Sequence, residues 1–367
     1  MEKPIFIKVP GKLMVAGEYA VLVPNQHLVV TAVDRFIYVK IEKSQKNTLH
    51  LNDFQLYDIP WEFQDGKVYL DIKDDRTSFV QSAMDVAFTY LQEQGVTTCP
   101  ISLSITSELD DESGAKYGLG SSAAIVTGVV TALLRAFLQQ KPREEFIFKL
   151  AAIAHVKTQG SGSGADIAAS TYGGMLEYSS FQADWLLEQL QQTISITELV
   201  QKEWAYLHIK KLPFPKQWKM LVGWTGNPAS TAKLVPEVLK YKQKNKKQFQ
   251  TFLEKSAQAV KDILLGIKRE SLEQFYKGIK DNHEALAEIG RLANVPIETS
   301  LLHKLKQIAE KYDSVGKLSG AGGGDCGIAF TTSLQNEKQI KFAWKATGIK
   351  PLQITMYPYG AKETQDE

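Results

Sequence analysis

Gly118-Leu119-Gly120-Ser121-Ser122-Ala123-Ala124 sets two glycines and two hydroxyls directly before the apolar run Ile125 to Leu134. Glycines let a backbone turn tightly and approach a ligand, and the first amides and positive dipole end of a following helix favour phosphate oxygens. The pattern predicts an anion site in which the serines add donors and a hydroxyl can also ligate Mg²⁺. Gly118, Gly120 and Ala123 also satisfy the G-x-G-x-x-A turn of dinucleotide-binding folds. That reading needs a strand ending at the first glycine, whereas the strand-like run Ile101 to Ile105 is followed by the polar stretch Glu108 to Gly114. The ribose-binding acid is missing too, since the chain reads Phe137-Leu138-Gln139-Gln140 at that distance. The G-x-x-x-x-G-K-[ST] form is absent. The segment is therefore a phosphate loop of another kind.

Two other clusters carry further chemistry. Ile5 to Val9 alternates like a strand and leads into Pro10-Gly11-Lys12, followed by Gly17-Glu18-Tyr19-Ala20-Val21-Leu22. Near the other end, Lys317-Leu318-Ser319-Gly320-Ala321-Gly322-Gly323-Gly324-Asp325-Cys326-Gly327 precedes the apolar Ile328 to Phe330. Ordering so many glycines carries a large entropic cost, which a simple turn does not justify unless a backbone or ligand must come close.

In this order and at these separations, the three segments resemble the GHMP small-molecule kinases over essentially the whole chain. The resemblance implies an α+β fold: an N-terminal domain like ribosomal protein S5 domain 2, then a ferredoxin-like α/β sandwich, with the active site between them. Within the family, five features resemble the branch whose acceptor is phosphomevalonate, in the mevalonate route to isoprenoids. They are Tyr19 where hydroxyl kinases usually have histidine, Lys116-Tyr117 before the loop, Ala154 to Ser170, Gly223 to Thr231, and the ending Asp325-Cys326-Gly327. Mevalonate kinase or another small-molecule kinase of the family is the alternative, and a nucleotide-binding sensor on the same fold is a third reading.

The resemblance assigns roles residue by residue. Lys116, Gly118, Leu119, Gly120, Ser121, Ser122 and Ala123 would hold ATP, with Ser122 the Mg²⁺ contact. Lys12, fixed by Pro10 and Gly11 at a strand end, would reach the transferred phosphoryl group; without the motif it reads as a solvated lysine. Asp166 follows a glycine-serine loop and would be the catalytic aspartate, or a helix cap, or both. A phosphate acceptor is mostly dianionic at neutral pH and needs no base, so Asp166 would then orient the acceptor or Lys12. Glu18, Tyr19, His155, Lys157, Ser161, Ser163, Ser230, Thr231, Gly322, Gly323 and Asp325 would line the acceptor site. Relatives that phosphorylate mevalonate carry a metal-binding glutamate upstream of the Asp loop, where this chain has His155, Lys157 and Gln159. The cation would then rest on Ser122, ATP oxygens and water.

The elements that must position these groups read as strands first (Val29 to Val33, Phe36 to Ile41), then helices (Phe79 to Leu91, Phe146 to Val156). A loop-rich stretch from Ser179 to Glu203 precedes a second unit, giving domains 1–200 and 201–367. In the second unit Met220 to Thr225 and Gly327 to Phe330 read as strands, Lys246 to Ile267 and Leu272 to Ile289 as long helices. Aromatic residues from Trp61 to Tyr69 are placed in a loop within reach of adenine.

With 367 residues, 44% of them hydrophobic and 23% charged, the chain can bury two cores. A net charge of +2 argues against a nucleic-acid partner, and the lysine run from Lys240 to Lys247 reads as a solvated helix face. Cys99 and Cys326 lie too far apart in sequence to suggest a disulfide or zinc framework. Without a long apolar run or a leader-like N-terminus, a cytoplasmic monomer or homodimer with no membrane partner is expected.

Overall fold

A computed structural model of the chain describes residues 3–110, 116–192, 194–226 and 231–365, the side chains of 231 and 232 excepted. The first layer is a mixed sheet of β1 (Ile5–Ala16), β2 (His27–Lys43), β3 (Thr48–Leu51), β4 (Leu56–Gln64), β5 (Lys67–Leu70), β6 (Ile101–Ser107), β7 (Met175–Ser179) and β8 (His208–Leu212). A last strand, β13 (Lys362–Thr364), returns from the C-terminus to pair with β1. Helices α1 (Ser78–Glu93), α2 (Ser121–Phe137), α3 (Glu144–Gln159) and α4 (Ala165–Tyr172) accompany this sheet.

Helix α2 is buried almost all round, with Val126, Val129, Val130, Leu133 and Leu134 closed to solvent. That explains an apolar run without an amphipathic stripe: the helix packs against β1 and β2 as well as α1 and α3. Each such side chain contributes roughly 1.5–3 kcal/mol of burial, so the end of α2 that carries the phosphate loop is held by the core. Helix α3 stops where Gly160 takes a left-handed φ of 73°.

The second layer is an antiparallel sheet in the order β10 (Val315–Leu318), β11 (Cys326–Thr331), β9 (Lys219–Trp224), β12 (Lys350–Leu352). It is accompanied by α7 (Thr231–Lys244), α8 (Lys246–Arg269), α9 (Leu272–Ala293), α10 (Ser300–Lys311) and α11 (Leu334–Ala346).

Several expectations are corrected. The pairs of runs at 29–33 and 36–41 form one strand, because Asp34 and Arg35 are absorbed as a bulge opposite Pro10 and Gly11. Asp34 is held there by the amide and hydroxyl of Thr355 at 2.6 and 2.7 Å. Lys12 consequently sits inside β1, just past the bulge, and not at a strand end. The stretch 179–203 contains two helices, α5 (Ala183–Gln191) and α6 (Ile196–Gln201), anchored by buried Leu186, Leu199 and Val200. Trp61 to Tyr69 is a β-hairpin with Trp61 buried against Phe88. The boundary expected at 200 moves past Leu212, since β8 pairs with β7 in the first sheet, and residues 362–364 rejoin that sheet.

Candidate active site

The phosphate loop is built as its glycines require. Gly118 and Gly120 take φ values of 80° and 82°, a left-handed region costly to any residue with a Cβ. The first intrahelical bond of α2 runs from the Ala124 amide to the Gly120 carbonyl at 3.1 Å. The amides of Ser121, Ser122 and Ala123 therefore precede any intrahelical acceptor and, with the helix dipole, form an anion-binding helix end.

Lys12 spans this loop. Its amide donates to the Leu119 carbonyl at 2.8 Å and its Nζ to the Gly118 carbonyl at 2.9 Å. A Cβ on Gly120 would lie 3.0 Å from both Cγ and Cε of Lys12 and 3.6 Å from Cβ of Asp166. Lys12 and Asp166 thus flank Gly120 without pairing with each other. Asp166 lies in the first turn of α4, whose N-cap is Gly164, so it is not the cap itself. Its Oδ1 accepts from the Ile167 amide at 3.0 Å, and its side chain remains half-buried. Two helix N-termini converge on a lysine and a carboxylate, an arrangement suited to holding and neutralising transferable phosphate.

Ser122 sits half-buried in the first turn of α2, with its Oγ 3.2 Å from Nε2 of His155. His155 is itself buried against Phe79, with ring centroids 5.1 Å apart. Burial pushes its pKa down, although the nearby Asp166 carboxylate pulls the other way. His155 is therefore a buried ring behind Ser122, instead of an exposed donor to the acceptor.

The remaining expected residues divide by position. Lys116 and Ser161 are exposed, and Lys157 is exposed with its charge acting on Asp85 of α1. Ser163 is tied into the fold: its Oγ accepts from the Ala165 amide at 3.3 Å and its carbonyl from the Tyr178 hydroxyl at 2.5 Å. Ser230 and the side chain of Thr231 lie outside the described residues.

Glu18, Tyr19 and the C-terminal glycine loop form one buried junction between the two sheets. Lys317 Nζ donates to Glu18 Oε1 at 2.6 Å, both side chains almost wholly excluded from water. The Gly320 amide adds a bond to the same oxygen at 3.3 Å. With its amide oriented by the network, Asn282 donates to Glu18 Oε2 at 3.1 Å and accepts from the Gly17 amide at 3.2 Å. Burial pushes the Lys317 pKa down while Glu18 pulls it up. Tyr19, in a left-handed φ of 60°, donates its hydroxyl to the Ala321 carbonyl at 2.6 Å. Gly323 donates its amide to the Ile297 carbonyl at 2.8 Å, and a Cβ on Gly322 would fall 2.1 Å from that same oxygen. The expectation that Glu18 and Tyr19 face the acceptor is corrected: they tie the glycine loop to the N-terminal unit, while Gly322 and Gly323 pack that loop on Ile297 of the second unit.

Asp325 packs its carboxylate against Gly118 of the phosphate loop, and its carbonyl accepts from the amide and hydroxyl of Thr225 at 3.0 and 3.1 Å. Cys326 is buried, with Sγ 3.2 Å from the Tyr117 carbonyl, and burial pushes its thiol pKa up, so it is a packing residue. Lys317 and Asn282 are the residues that sequence reasoning missed. Nothing local marks them, because their partner lies 299 positions from Lys317.

The fold and this phosphate-oriented cleft define a two-domain small-molecule kinase. The description "GHMP kinases N terminal domain" matches residues 78–174, and "GHMP kinases C terminal" matches residues 263–350. A phosphomevalonate kinase of Streptomyces sp. (strain CL190) is 31% identical, the alignment covering 96% of this chain and 97% of that protein. A Lin0012 protein from Listeria innocua has a crystal structure that superposes with a TM-score of 0.92 at 37% identity, covering 99% of this chain and all of the other. A Streptococcus pneumoniae phosphomevalonate kinase, solved in complex with phosphomevalonate and AMPPNP, superposes at 0.83 with 27% identity over 96% and 99% of the chains. The chain belongs to the GHMP kinases.

Proposed function

We propose that this chain transfers the γ-phosphoryl group of ATP to phosphomevalonate, giving diphosphomevalonate and ADP. The observation that carries the reading is that Lys12 and Asp166 both close on Gly120 at the N-terminus of α2, with Asp166 in the first turn of α4. The similarity to phosphomevalonate kinases along nearly the whole chain supports the choice of acceptor.

In this mechanism the amides of Ser121, Ser122 and Ala123 hold ATP phosphate oxygens, with Lys116 at the exposed mouth. An oxygen of the acceptor phosphate attacks the γ-phosphorus, the bond to the bridging oxygen breaks, and its electron pair leaves on ADP. Lys12 gives up its carbonyl contact with Gly118 to meet the negative charge on the transferred group. The acceptor is already dianionic, so Asp166 orients it and Lys12 and removes no proton. Exposed Ser161 and Lys157, beside the loop from Gly160 to Gly164, supply donors and charge for the acceptor.

Ser122 fits the role of a Mg²⁺ contact, being a hard oxygen donor at the helix end with its hydroxyl oriented by His155. Mg²⁺ keeps much of its water and needs few protein ligands; when bound it neutralises phosphate charge.

Phosphorus NMR of a reaction containing ATP and phosphomevalonate tests the reading. The expected result is loss of the acceptor's monoester resonance and growth of two coupled phosphoanhydride resonances. A persisting monoester signal while ATP is consumed would contradict it.

A further inference from the structure

Three adjacent strands of the first sheet bring His27, Glu177 and His208 together. In the register, Ser179 of β7 faces His27 of β2 on one side and His208 of β8 on the other, while Glu177 stands two residues along the same face. Oε1 of Glu177 lies 3.1 Å from Nδ1 of His27, and Oε2 lies 3.9 Å from Nε2 of His208. The two imidazoles have centroids 5.5 Å apart. One nitrogen from each and a carboxylate oxygen fall within 4.8 Å of one another.

A second observation points to a ligand. Nδ1 of His27 is closed to solvent and has no properly directed hydrogen bond, although Glu177 is beside it. Only a proton on Nδ1 or a cation standing between the nitrogen and the carboxylate makes this contact attractive, and a metal ion there would satisfy both groups at once. The other His-Glu-His group among the described residues is different. There Glu298 Oε1 is bonded by His283 at 2.6 Å and His303 at 3.0 Å, so its carboxylate is already satisfied.

We propose that His27, Glu177 and His208 form a zinc site that clamps the edge strand β8 to β7 and β2. Two imidazoles and a carboxylate are a borderline donor set preferred by Zn²⁺ over Mg²⁺ or Ca²⁺, with water completing a tetrahedron. Tetrahedral bonds of about 2.0–2.2 Å place donor atoms roughly 3.3 Å apart. His27 and Glu177 already meet that spacing. His208, with 44% of its side chain exposed, stands farther out: the three donors lie within 4.8 Å of one another, so the widest gap must close by up to about 1.5 Å. Lys210, opposite Glu177 on β8, is the neighbouring charge that the metal must outcompete.

The test is a Co²⁺ titration of the untagged full chain by visible absorption, followed by displacement with Zn²⁺. The expected result is one d–d band saturating at one equivalent and erased by one equivalent of Zn²⁺. His208→Asn and Glu177→Gln should each weaken binding by more than about tenfold, and His303→Asn, a control at the other cluster, should leave it unchanged. His208 is exposed at a sheet edge, so far-UV circular dichroism should match wild type; should one variant fail to fold, the other carries the comparison. No band, a band retained by both variants, or one lost in His303→Asn would overturn the proposal. Because the readout is metal binding, it is independent of the kinase reading.

Discussion

Replacing Lys317 with Met removes the cation from a junction where Lys317 is fully buried and Glu18 is 3% exposed. Taking one partner from a buried ion pair costs about 3–5 kcal/mol, because the survivor is left charged without compensation. Glu18 keeps the amides of Gly320 and Asn282, which places the cost at the lower end, about 3 kcal/mol. For a chain of 367 residues, an unfolding entropy of about 2.1 cal/mol/K per residue converts this into a fall in Tm of about 4 °C. Glu18→Gln in the same background removes the stranded charge and retains an acceptor for Gly320, so the double variant should regain at least half of the loss. Differential scanning calorimetry with urea unfolding reads both effects. A single variant within about 1 kcal/mol of wild type, or a double variant whose losses simply add, would refute the reasoning.

Three shorter predictions follow from the same geometry. Gly120→Ala places a methyl 3.0 Å from Lys12 in a left-handed backbone; it should cost about 1–2 kcal/mol of stability yet lower kcat on the order of 100-fold. Steady-state kinetics beside a melting curve separates the two effects, and an unchanged kcat would contradict the placement of Lys12. Lys12→Met should lower kcat by more than about tenfold with little change in ATP affinity, since its charge acts chiefly in the transition state; calorimetric ATP binding checks the second half. The bonds from His283 and His303 hold Glu298 down from 4.5 to about 2. The folded value is the lower one, so the stability is present above the usual carboxylate range and is lost as pH falls from about 4.5 towards 2. Glu298→Gln should remove this acid limb, on the order of 2 kcal/mol, as read by urea midpoints at pH 3 and pH 7.

What the sequence displays and what it conceals follow the range of the interactions. The loop from Gly118 to Ala124 is legible because positive-φ glycines and the helix after them are contiguous, and local steric rules govern both. Helix α2 was legible for the same reason, as its apolar run is longer than a strand needs. The continuity of β2 was not: Asp34 and Arg35 look like a break until their bulge partners, Pro10 and Gly11, are paired with them. Glu18 and Tyr19 were legible as a motif but not in their work, which depends on Lys317 and Ala321 from the far end of the chain. The sequence makes His155 look like a donor to the acceptor, because helical periodicity gives no sign that its ring is closed off behind Ser122. The helices at 183–191 and 196–201 escaped detection because each is too short to establish a periodicity.

The most direct test of the account is a coupled ADP-release assay with Mg-ATP, comparing phosphomevalonate and mevalonate at equal concentration. Turnover with the phosphorylated acceptor alone is the predicted result. Turnover with mevalonate alone would contradict the assigned acceptor while leaving the fold intact, and no turnover with either would contradict the kinase reading of the Lys12 and Asp166 site.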